Sequence, residues 1–251
     1  MNSTGQTTID PSEVEKFESI AAEWWDPSGK FKPLHKFNPI RLGLIRDELC
    51  AHFDRDPMAK KPLEGIRLID IGCGGGLVSE PMARLGATVM GIDAAEGNVK
   101  TASVHAQQTG VEVDFRHTSA EDLLASGIAP FDAVLNLEVV EHVADVDLFL
   151  GTSAQLLRPG GIMAVATLNR TLKAAATAVF AAEYILRWLP RGTHDPRKFL
   201  RPDEVRAYLK EAKLDINGEH GLSYNPLADK WSVGTDMSVN FMVFATKPEA
   251  D

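Results

Sequence analysis

Apolar and polar positions along this chain keep two different periods, and the two take turns. Short runs rich in Ile, Leu, Val and Phe recur at residues 67–71, 88–92, 111–116, 131–137 and 162–168. The first, made largely of Ile and Leu, has the apolar character of a strand buried in a parallel sheet. Between them the apolar positions return every three or four residues, which predicts helices over 77–85, 96–108 and 146–157. Gly110 stands where the second of these helices needs a left-handed cap. Two further strands, over 215–221 and 239–246, bring the expected sheet to seven. Strand alternating with helix predicts a doubly wound α/β domain over residues 65–247, with a mostly parallel sheet.

Upstream of residue 65 the pattern changes. Residues 1–10 are polar and are expected to form a disordered tail. Asp10-Pro11-Ser12-Glu13 opens a helix, with Asp10 as cap and Pro11 at the first position, and Val14, Phe17, Ile20 and Ala21 share one face. Trp24 and Trp25 end it. Adjacent tryptophans cannot occupy one face, so at least one meets a ligand, a second element or a loop. Core anchoring and a lid role both remain open for them. The proline-punctuated run 31–41 reads as extended, leading into a helix over 40–53. Residues 11–64 together form a helical cap.

The first strand ends in Asp70-Ile71-Gly72-Cys73-Gly74-Gly75-Gly76. Glycines at alternate positions suit a strand-to-helix turn where a ligand lies against bare backbone, because a Cβ there would collide with it. Asp93, at the end of the second strand, lies about twenty residues past the first glycine, where a nucleotide-binding fold places the acid that takes ribose hydroxyls. A nicotinamide dinucleotide and another nucleoside-bearing ligand both fit that spacing. Asp70 discriminates between them. The segment D-x-G-x-G-x-G resembles the loop of class I S-adenosylmethionine (SAM) methyltransferases, in a Rossmann-like fold. The resemblance implies that Asp70 helps orient the loop and the amino end of the methionine moiety.

A narrower resemblance lies in Ala22-Glu23-Trp24-Trp25-Asp26 and in Leu34-His35-Lys36-Phe37-Asn38-Pro39-Ile40-Arg41. Both are similar to the N-terminal signature of the ubiquinone-biosynthesis O-methyltransferases, which methylate polyprenyl catechols. The resemblance implies that Arg41 contacts SAM, that Leu137 contacts it through its backbone, and that the adenine lies near Ser119, Ala120 and Glu121. For those three the other reading is a helix capped by Ser119. The implied substrates are 2-polyprenyl-6-hydroxyphenol and 3-demethylubiquinol. Glu138, Glu141 and His142 follow the fourth strand at i, i+3 and i+4, so a helical turn would put them on one face. His142 could act as general base on a catechol hydroxyl. The resemblance favours the alternative, a Mg²⁺ ion held by all three. A SAM methyltransferase acting on another acceptor, and a SAM-binding scaffold without turnover, are the rival readings.

Composition narrows the setting. The net charge of −9 argues against nucleic acid, which selects a basic face. Cys50 and Cys73, the only two cysteines, have neither metal nor disulfide spacing, so a reducing cytoplasmic compartment is expected. No apolar signal core and no membrane-spanning run are seen. The segment 169–201 departs from this acidic background: seven Lys and Arg stand against Glu183 and Asp195. Phe180, Tyr184, Ile185, Trp188 and Leu189 are spaced for one helical face. An inserted lid over the substrate and an amphipathic helix on the inner face of an anionic membrane are compatible readings. Other ubiquinone-biosynthesis proteins are possible partners.

Overall fold

The computed structural model describes residues 7–174, 197–225 and 227–249. Eight strands form one sheet: β1 (Arg67–Ile71), β2 (Thr88–Asp93), β3 (Asp114–His117), β4 (Phe131–Leu137), β5 (Leu157–Leu168), β6 (Asp215–Asn225), β7 (Lys230–Gly234) and β8 (Asn240–Thr246). Their order is β3-β2-β1-β4-β5-β8-β6-β7. The five strands from β3 to β5 are parallel, and β8, β6 and β7 are antiparallel. Seven strands were expected. The eighth, β7, is a short polar edge strand that pairs only with β6, and it lacks the apolar run that reveals a buried strand.

Period two divides the sheet's side chains between two cores. Leu68, Ala133, Leu135, Ala164, Met242 and Phe244 face one side, packed with Leu44, Ile45 and Leu49 of the long helix α2 (Lys32–His52). Ile69, Ile71, Val134, Met163, Val165 and Val243 face the other. There they meet Leu150 of α6 (Val146–Leu156) and Val205 of α8 (Pro202–Glu211). The remaining helices are α1 (Pro11–Glu18), α3 (Ser79–Arg84), α4 (Glu96–Thr109), α5 (Ala120–Ala125) and the short α7 (Leu172–Ala174). Gly110 caps α4 in the left-handed conformation, as expected. Strand order reverses between β1 and β4, so their carboxyl ends open a crevice.

The N-terminal cap differs from expectation in three ways. The helix α1 stops at Glu18, and a 3-10 turn over Ala21–Glu23 carries the chain to the tryptophans. Secondly, α2 begins at Lys32, not at residue 40, and keeps Pro39 inside it. Pro33 sits in the first turn, where a missing N–H costs nothing. Burial of Phe37, Leu44 and Ile45 holds the helix through Pro39 despite the lost hydrogen bond. Thirdly, part of the tail is tied down. Thr8 is buried, its carbonyl accepts from the Ala144 N–H at 2.8 Å, and its own N–H donates to Glu121 Oε1 at 3.3 Å. The central part of the 169–201 insertion, residues 175–196, lies outside the described residues.

Candidate active site

At the end of β1 the chain turns through Gly72, Gly74 and Gly76, all at positive φ (74°, 54° and 84°). What lies against the bare backbone is the protein itself. A Cβ on Gly72 would meet Val139 at 2.7 Å, and one on Gly76 would meet Phe115 at 2.8 Å. One on Gly74 or Gly75 would run into the Trp24 ring. These glycines admit neighbouring side chains, and Gly72 and Gly74 also line the cleft. Both tryptophans are fastened here. Trp24 stacks on Phe31 with ring centres 3.8 Å apart and donates to Asn98 Oδ1 at 2.8 Å. Trp25 donates to the Gly75 carbonyl at 2.8 Å.

Two carboxylates set the floor. Asp70 is buried and accepts from Ser79 Oγ at 2.6 Å, which joins β1 to the start of α3. Burial pushes its carboxyl up to about 6, against the pull of the Ser79 hydroxyl and the nearby Arg41. Asp93 accepts three hydrogen bonds: from the Gly74 N–H to Oδ2 at 2.8 Å, from the Ala95 N–H to Oδ1 at 2.8 Å, and from Asn98 Nδ2 to Oδ1 at 3.2 Å. Burial still raises its pKa, because those donors replace water only in part.

Arg41 reaches the cleft from α2 and is buried. Its Nε donates to Asn38 Oδ1 at 2.8 Å, and Asn38 Nδ2 donates to the Leu77 carbonyl at 2.6 Å, so Asn38 fixes the guanidinium to the glycine turn. Desolvation lowers the pKa of Arg41, with Glu138 and Asp70 opposing it electrostatically. On the opposite wall Ser119, Ala120 and Glu121 line the cleft. Ser119 Oγ also accepts from the Asp122 N–H at 3.0 Å, so it does cap α5. Glu121 Oε2 is buried with no partner.

Glu138 and His142 line the cleft, whereas Glu141 turns away from it. Leu137 ends β4 beside the cleft, and Glu138 then takes a left-handed φ of 54°, which breaks any helical continuation. Residues 138–144 form turns, so the single face expected from the i, i+3, i+4 spacing does not exist. Glu141 points into the protein. Its Oε2 accepts from Thr167 Oγ1 at 2.8 Å, its Oε1 has no partner, and burial beside Glu138 drives its pKa up. His142 lines the cleft with Nδ1 3.0 Å from Glu13 Oε2. Among the described residues no group of three or more His, Cys, Asp and Glu is placed to hold a metal ion. Glu13, Phe17, Asn38 and Asn98 were not legible as site residues, because each acts on a partner that only the fold brings near.

Residues 69–165 match the family model described as a methyltransferase domain. A ubiquinone biosynthesis O-methyltransferase of Sinorhizobium medicae is 58% identical over 248 residues, which is 99% of this chain and 100% of that one. The protein of the same name from Brucella anthropi is 57% identical with the same coverage. Among solved structures, magnesium protoporphyrin IX methyltransferase from Synechocystis with bound SAM aligns at a TM-score of 0.61 and 16% identity, covering 98% of this chain and 100% of that one. A SAM-dependent methyltransferase from Thermotoga maritima, a possible histamine N-methyltransferase, aligns at 0.60 and 17%, covering 94% and 99%. At such identities the likeness concerns the fold. With relatives of that name more than half identical over nearly its whole length, the chain belongs to the ubiquinone biosynthesis O-methyltransferases, a family of class I SAM-dependent enzymes.

Proposed function

We propose that this protein methylates a catechol hydroxyl of polyprenylated ubiquinone precursors, of the type of 2-polyprenyl-6-hydroxyphenol and 3-demethylubiquinol, with His142 as general base. The observation that carries the reading is that His142 lines the same cleft as Arg41, Asp70, Gly72 and Asp93. SAM supplies a sulfonium-borne methyl group, which a phenolate oxygen takes up as the carbon–sulfur bond breaks and its electron pair stays on sulfur.

The chain's own residues do the rest. Arg41 is a buried cation suited to a bidentate carboxylate, such as that of the methionine moiety. Asp93 offers acceptor capacity to ribose hydroxyls, and the Ser119–Glu121 wall flanks the adenine. Leu137, at the end of β4, lines the same cleft. His142 takes the phenolic proton, so that charge develops on the oxygen before transfer. Ile9, Val14, Phe17, Val139, Val143 and Phe149 give the cleft an apolar wall that excludes water and suits a prenylated ring.

Magnesium fits these residues poorly: Glu141 faces Thr167 inside the protein while His142 faces Glu13, so the three do not converge. The basic 169–201 segment supports a cytoplasmic protein docked on the inner membrane face, where a polyprenyl tail resides and where other enzymes of the pathway would meet it. Leu172, at its start, is 92% exposed. No helix among the described residues is long and apolar enough to cross a membrane.

The test is methyl transfer from labelled SAM to a short-prenyl catechol, with and without EDTA. Turnover that survives EDTA, and falls about 100-fold or more in His142→Ala, is expected. Activity lost to EDTA and restored by Mg²⁺ would overturn the base reading. SAM binding without transfer to any catechol would leave the scaffold reading standing.

A further inference from the structure

We infer that Trp24, in the N-terminal cap, is a positioning residue for Asp93: acting through Asn98, it fixes the carboxylate oxygen that takes a ribose hydroxyl of SAM. The inference deepens the reading of Asp93 as the ribose acceptor and rests on it. Its ground is an unbroken chain of hydrogen bonds. Trp24 Nε1 donates to Asn98 Oδ1 at 2.8 Å, across 74 residues of sequence, and Asn98 Nδ2 donates to Asp93 Oδ1 at 3.2 Å. Trp24, Asn98 and Asp93 all line the cleft.

Donor and acceptor roles give that chain a single direction. An indole N–H only donates, and a carboxylate only accepts. The amide between them must therefore turn its oxygen to Trp24 and its nitrogen to Asp93. Flipped, it would set donor against donor and oxygen against oxygen. Asn98 is only 2% exposed, so its oxygen has no solvent to fall back on. Without the indole N–H that oxygen is a buried acceptor left unmet, and the amide turns away from Asp93 to relieve it.

What the amide governs is how Asp93 is used. A carboxylate accepts at about four positions. The Ala95 N–H and Asn98 fill Oδ1, and the Gly74 N–H takes one side of Oδ2, which leaves a position on Oδ2 for a hydroxyl. Two of the three donors are backbone groups and come with the fold; Asn98 is the adjustable one. The indole that directs it is itself held. Its ring stacks on Phe31 with planes 10° apart, and His35 Nε2 lies 2.9 Å from the Trp24 carbonyl. Trp25 fastens the next residue to the Gly75 carbonyl. The cap thereby reaches the ribose end of the cleft.

The experiment measures binding of S-adenosylhomocysteine and of its 2′-deoxy and 3′-deoxy analogues to the full chain by calorimetry. In wild type, loss of the hydroxyl that Asp93 takes weakens binding about 10- to 100-fold, the worth of a hydrogen bond to a charged acceptor. Trp24→Phe keeps a ring over the glycine turn and deletes the N–H. It lowers that ratio at least about threefold, as do Asn98→Leu and Asp93→Asn. A merely structural role would weaken every ligand alike and leave the ratio where it was. Should Trp24→Phe fold poorly, Asn98→Leu decides alone. A wild-type ratio in Trp24→Phe or Asn98→Leu, beside a lowered one in Asp93→Asn, overturns the inference. A ratio near one in wild type, or an unchanged ratio in Asp93→Asn, overturns the ribose reading of Asp93 instead.

Discussion

Asp70 shows how one side chain serves two masters. Its carboxyl is buried and raised to about 6, so the folded state holds a proton that the unfolded chain has lost by that pH. Stability therefore falls as pH rises from about 4 through about 6, and the charged form remains a cost above that range. Glu13 and Asp10 act in the opposite sense, lowered to about 2, and their stabilisation is lost only as pH falls below about 4. Asp70→Asn should then be more stable than wild type at pH 7.5, by roughly 3 kcal/mol, with the gap closing by pH 4. Urea denaturation at the two pH values checks this, and a constant gap would show that Asp70 is not the titrating group. Asn retains an acceptor for Ser79 Oγ, so the comparison isolates charge.

Elements were legible in the sequence where burial was two-sided. The strands β1, β2 and β4 announce themselves because both faces are covered, and β8 does so for the same reason. The strand β7 did not, since an edge strand exposed everywhere but at Trp231 needs little apolar surface. The start of α2 was misplaced by a rule that is sound locally, proline as helix breaker, but weaker here than the packing of one long face. Spacing alone suggested a helical turn after Glu138; the positive φ of that residue could not be read from its neighbours. These differences have measurable weight. Phe244 of β8 is fully buried between sheet neighbours, and Phe244→Ala should cost about 3–5 kcal/mol. Trp231 of β7 is only partly buried, and Trp231→Ala should cost clearly less, about 1–2 kcal/mol. Equal losses in chemical denaturation would mean that β7 belongs to the folding core.

At the scale of the whole molecule, the glycine turn and both carboxylates of the floor were visible in sequence, while the partners that position them were not. Asn98, Glu13 and Phe17 carry no motif, and Asn38 stands in the N-terminal signature without a role assigned to it; all four matter through what the fold sets beside them. All but Asn98 come from the N-terminal cap. A third apolar cluster of Ile20, Ala21, Trp24, Phe31 and Leu77 seals that cap onto the domain at the point where the glycine turn ends. The cap is thus part of the cleft's wall.

Trp24 lying on Gly75 also makes a statement about heredity. Gly75, unlike Gly72, Gly74 and Gly76, has no positive φ; what a side chain there would meet is Trp24, its Cβ and Cγ at 2.4 Å and its Cδ1 at 3.0 Å. The two positions, fifty-one residues apart, are therefore epistatic. Gly75→Ala should destabilise the wild type by about 1–3 kcal/mol through overpacking, yet cost much less once Trp24→Gly has removed the Cβ, Cγ and Cδ1 that a side chain there would meet. A double-mutant cycle without that coupling would refute it. A lineage could place a larger residue in the loop only after position 24 had itself lost its side chain.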